Sequence, residues 1–109
     1  MSDEFVNYSP EGAAAVVADS PAGDTASDTD LSIKLDRTTT DPSHYPLVLV
    51  SYLIACQQYS DAKVAALVKA YAGYIASDAG QKEAAKSAGA APLSADLAKK
   101  VQDAIATIK

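Results

Sequence analysis

Few groups in this 109-residue chain have a type and spacing that could do chemistry: one cysteine, one histidine, a spaced aspartate run and the stretch "RTTTD" at 37–41. Cys56 stands alone, so neither a disulfide framework nor a thiolate zinc site can be built within one chain. Its setting, "LIACQQ", is apolar, and a buried, inert thiol is the expectation, because a reactive one needs an electropositive, accessible environment. His44, beside Pro42 and Tyr45, could serve as a lone base, but an imidazole that is solvated or structurally bonded is the favoured reading. No third partner accompanies Cys56 and His44 toward nucleophilic catalysis.

Asp24, Asp28 and Asp30 lack the rhythm and the closing bidentate Glu of a calcium loop, so this reads as an acidic surface loop. Arg37 with Thr38, Thr39 and Thr40 could hold an anion through a guanidinium and hydroxyls, though an ordinary polar linker has the same composition. Gly80 and Gly89 fit no phosphate-cradling pattern. No catalytic, ligand-binding or metal-binding residue is assigned, no cofactor is implied, and no enzyme can be argued.

The elements that must position these groups read as four helices and two strands. Ser9, Pro10 and Glu11 open a short helix that stops before Pro21 and Gly23. Leu31, Ile33 and Leu35 alternate with Ser32 and Lys34, the period of a half-buried strand. After a linker at 36–45, residues 47–54 are apolar on both parities with only Ser51 interrupting, which predicts a central strand covered on both faces. Ser60 is expected to cap a helix whose stripe is Val64, Leu67, Val68, Tyr71 and Ile75. Ser77 caps the next, Gly89 stops it, and Ser94 caps the last, with Leu97, Val101, Ile105 and Ile108 on one face.

Net charge is −5 and apolar residues make up 49% of the chain, much of it Ala. A net negative chain is a poor partner for nucleic acid or an anionic membrane. No stretch reaches membrane-span length, and the acidic "MSDEFVNYSP" is unlike a signal peptide, so the chain as written is expected to stay where it is made. The seven large apolar side chains of 47–54 represent roughly 10–20 kcal/mol of burial, as much as the whole net stability of a domain. One flanking strand with Lys34 on its second face cannot cover them. The chain therefore reads as a piece of something larger or as one that completes itself with a second copy.

"FVNYSPEGAAAVV", "DLSIKLDRTTTD", "YPLVLVSYLIAC" and "GQKEAAKSAGAAPLSADLAKKV" together resemble the C-terminal end of the PstS family, the phosphate-binding proteins of bacterial phosphate ABC transporters, in its actinobacterial style. The resemblance spans nearly the whole chain, with "YPLVLVSY" and the Gly89 to Leu93 turn its most specific parts. It implies an α/β C-terminal fragment of a type II periplasmic-binding-protein fold, its sheet incomplete in the single chain. Residues 1–44 would be the lobe-crossing region, and 45–109 the central strand and closing helices of the first lobe. Parents of this family bind inorganic phosphate between two lobes, deliver it to an ABC permease and work outside the cytoplasm. No position here matches the family's binding motifs, and the chain carries neither a signal sequence nor a lipobox Cys. The alternative is a free-standing α/β interaction module that self-associates through its unpaired strand, and a hydrolase fragment ranks last. Self-association is expected as a symmetric homodimer or higher, with Leu49, Tyr52 and Leu53 near the contact.

Overall fold

The computed structural model describes residues 4–109 and contains four helices: α1 (Pro10–Asp19), α2 (Ala62–Ile75), α3 (Asp78–Ala88) and α4 (Ala95–Ala106). Each begins where a short polar side chain can accept from an otherwise unpaired N–H. Ser9 accepts from the Gly12 amide, Ser77 from that of Gly80 and Ser94 from that of Leu97. For α2 the cap is Asp61, which accepts from the Lys63 amide at 2.8 Å, and not the expected Ser60. Gly89 ends α3 at φ 66°, a left-handed geometry that a Cβ would make costly.

The α/β expectation is overturned: among the described residues the chain is helical and forms no sheet. Of the first expected strand, 31–35, a single antiparallel bridge between Ala22 and Ile33 remains. The expected central strand at 47–54 has no ladder partner, although the chain runs from 44 to 56 without helix, turn or bend. The physical reason lies in the segment between them. Residues 36–46 fold back on their own side chains and on α1, so the two apolar stretches are not brought edge to edge.

Packing is thin. The buried apolar residues among those described are Ala13, Val16, Ala65, Ala72, Ala76 and Ile108, and of these Val16 is essentially inaccessible to solvent. α2 packs against α3 and α4. Its buried residues are Ala65 and Ala72, while Leu67 and Tyr71 of the expected stripe are exposed and Val64 is only partly covered. Gly80 meets the end of α2 so closely that a Cβ there would lie 2.0 Å from the Tyr74 carbonyl oxygen. The accessible surface is 7690 Å², against about 5700 Å² for a compact monomer of this mass. The radius of gyration, 15.5 Å, likewise exceeds the roughly 13 Å of a compact chain of this length. No helix among the described residues is long and apolar enough to cross a membrane.

Candidate functional site

The strongest candidate is the unbent arm at 47–55. It is bounded by Pro46, whose ring fixes one dihedral and removes a donor, and by Cys56, whose amide donates to the Tyr59 hydroxyl at 3.0 Å. Within the arm Leu49 is 91% exposed and Ile54 90%. No backbone N–H from 47 to 55 donates a hydrogen bond among the described residues. Both properties are costly for an apolar segment, since exposed side chains and unpaired amides are what burial and ladders normally remove. Beside the arm lies an open apolar groove of about 360 Å³, its walls including Leu53, Ile54, Tyr59, Leu67 and Tyr71. Just past the arm, the Tyr59 amide donates to the Lys109 carbonyl at 2.7 Å, and the Lys109 amide donates to Gln57.

His44 is the buried polar side chain among the described residues. Its Nε2 lies 2.9 Å from Asp19 Oδ2 at the end of α1, and its Nδ1 lies 2.8 Å from Thr39 Oγ1. The Asp19 carboxylate can only accept, so in the neutral ring Nε2 carries the hydrogen that donates to it and the Thr39 hydroxyl donates to Nδ1, while the Thr39 oxygen also accepts from the Asp41 amide. Both nitrogens are therefore occupied. The cluster holds the turn at 39–44 onto α1, reinforced by the Tyr45 amide donating to the Gly12 carbonyl at 3.1 Å. Asp41 accepts from the Ser43 hydroxyl at 2.6 Å and from its amide at 2.8 Å, and these bonds hold its carboxyl below the usual aspartate value.

The "RTTTD" stretch is likewise occupied internally. Arg37 donates Nη1 to the Pro46 carbonyl and Nη2 to that of Val48, both at 3.1 Å. Thr38 bonds to Asp36 through amide and hydroxyl. A second groove of about 430 Å³ borders this stretch, lined by Pro21, Lys34, Leu35, Asp36, Arg37 and Thr38.

The aspartates at 24, 28 and 30 do not converge: no group of three His, Cys, Asp or Glu side chains able to hold a metal occurs among the described residues. Asp30 accepts from the Ser32 amide instead. Cys56, expected buried, is exposed, because the arm that carries it is uncovered. Tyr52 and Tyr71, expected at core-like positions, are exposed too, and only the Tyr52 hydroxyl is tied, accepting from the Ile33 amide at 3.0 Å. Sequence reasoning missed the bond between His44 and Asp19, which spans 25 residues, and no local spacing signals it. The chain matches no family model, no curated protein and no solved structure.

Proposed function

We propose that this chain is a segment of a phosphate-binding protein of the PstS type, which captures phosphate for an ABC importer outside the cytoplasmic membrane, and that the segment itself contributes scaffold and not ligand contacts. One observation carries the reading. The arm at 47–55 is uncovered on its side chains and unpaired along its amides, and it coincides with "YPLVLVSY", the most specific part of the resemblance. An element in that state is completed by contacts from outside the chain. The occupied guanidinium of Arg37 fits a segment without a phosphate grip of its own. In such a parent the ion is enclosed by fixed donors as two lobes close, with no covalent step.

The test uses calorimetry with inorganic phosphate. The chain alone gives no saturable heat at millimolar phosphate. Mixed with a PstS-family protein truncated before its counterpart of this segment, it restores saturable binding. A micromolar dissociation constant for the chain alone, abolished by changing Arg37, Thr38, Thr39 and Thr40 to Ala, overturns the reading and makes "RTTTD" the site.

A further inference from the structure

The arm has two unlike edges. In an extended backbone the N–H and C=O groups of alternate residues point to opposite sides. The even edge is engaged at its start, where Arg37 bonds the carbonyls of Pro46 and Val48. The odd edge, formed by Leu47, Leu49, Ser51, Leu53 and Ala55, has no backbone partner among the described residues. On the odd side the large side chains Leu47, Leu49 and Leu53 are all exposed, whereas on the even side Val48 and Val50 are half-buried and Tyr52 and Ile54 are exposed, Tyr52 with its hydroxyl bonded.

Area and charge point to the occupant. The chain exposes 7690 Å², about 2000 Å² beyond the expectation for its mass, and a stable interface needs roughly 800 Å² from each partner. Between His44 and Asp61 there is no Asp, Glu, Lys or Arg. Two copies, each of net charge −5, can therefore meet here without setting like charges against each other.

We propose that the odd edge is covered by a second copy of this chain, the two arms pairing antiparallel about a two-fold axis at Ser51. That register pairs all five free residues, with up to about ten ladder bonds. A two-fold at Val50 would leave Ala55 unpaired. Leu49 then lies beside the partner's Leu53 and Leu47 beside the partner's Ala55, so the leucines of the two copies form one cluster. The proposal concerns the chain by itself and does not rest on the phosphate reading, in which the rest of the parent would cover this edge instead.

Sedimentation between micromolar and hundred-micromolar chain gives a dimer mass, and Leu49→Lys weakens association by about tenfold or more by placing a charge in that cluster. Helical content is unchanged in this variant, because the side chain is 91% exposed in one copy. In a Cys56→Ser background, Ser51→Cys crosslinks under mild oxidation, since residues that exchange both hydrogen bonds lie about 5.5 Å apart at Cα, within disulfide reach. Val48→Cys does not crosslink. A monomer throughout that concentration range overturns the proposal, including one that instead joins the truncated PstS-family protein. So does a dimer that crosslinks through residue 48 and not through residue 51.

Discussion

The two halves of the chain are held by different means. Before the arm, a single helix is wrapped by irregular backbone whose amides are met by nearby Ser, Thr and Asp side chains, with the His44 side chain tying that backbone to Asp19. After it, three helices satisfy their own backbones, α2 packing on α3 and α4 with Gly80 set against the end of α2. Irregular backbone stays ordered where polar side chains supply its missing bonds. The arm between the halves has apolar side chains that can do no such thing, and it is left open. One bond that crosses between the halves is the Tyr8 hydroxyl donating to the Gly89 carbonyl at 3.1 Å.

Breaking the second half at its tightest contact has the largest effect. Gly80→Ala drives a Cβ to 2.0 Å from the Tyr74 carbonyl, so α3 must shift against α2, at about 3 kcal/mol or more, the upper end for overpacking. Amide exchange should quicken throughout α2 and α3 while the amides of α1 keep their protection. Uniform loss along the chain would show that the halves melt as one.

His44→Ala tests the first half. It removes two bonds, one of them to a carboxylate, from a buried position, at about 2 kcal/mol. The protection of the Tyr45 amide, bonded to Gly12, should fall, and α3 and α4 should be unaffected. Unchanged exchange at Tyr45 would mean that the cluster does not hold this half together.

Smaller again is Gly89→Ala. Nothing lies near the added Cβ, so only the left-handed backbone at φ 66° is penalised, at about 1 kcal/mol. Thermal melting should drop by a few degrees, with exchange loosening confined to the last turn of α3. A cost as large as that of Gly80→Ala would point to an unseen packing role.

How much of this was legible follows from how local each interaction is. Ser9, Ser77 and Ser94 as caps, and Gly89 as a left-handed stop, could be read because a cap involves residues three apart or fewer. Asp61 displaced Ser60 by one position, within the usual uncertainty of helix ends. The α2 stripe was misjudged because the helix buries its small residues, Ala65 and Ala72, and leaves Leu67 and Tyr71 exposed, and apolar periodicity alone does not say which face is covered. The arm misled most. Apolar residues on both parities mean a covered strand only if something supplies the cover, and the one bridge at Ile33 goes to Ala22. His44 was legible as an imidazole either solvated or structurally bonded, but not as a link to Asp19, since that contact depends on the path of the whole intervening loop.

The finest comparison is by pH, where the halves respond at opposite ends of the scale. Asp41 is held below the usual aspartate value of 3.8, first by the Ser43 hydroxyl and then by its amide. A depressed acid adds stability above its ordinary value, and the contribution is lost as pH falls through the folded value. Lys82 and Lys99, paired at 2.7 Å with Asp78 and Asp103, are raised above 10.5 by hydrogen bonds and then by the opposite charges. A raised base adds stability below its ordinary value, and that contribution is lost as pH rises beyond it. All of these groups are exposed, so the effects are small and salt-sensitive. The Ser43 amide resonance should move only below pH 3.8, and the ε-carbon resonances of Lys82 and Lys99 only above 10.5. High salt should shrink the lysine shifts more than that of Asp41, because the aspartate is held by short bonds to a neighbouring residue and the lysines depend in part on charge. Equal salt sensitivity at both ends would mean that the first half, like the second, is tuned by charge rather than by its side-chain to backbone bonds.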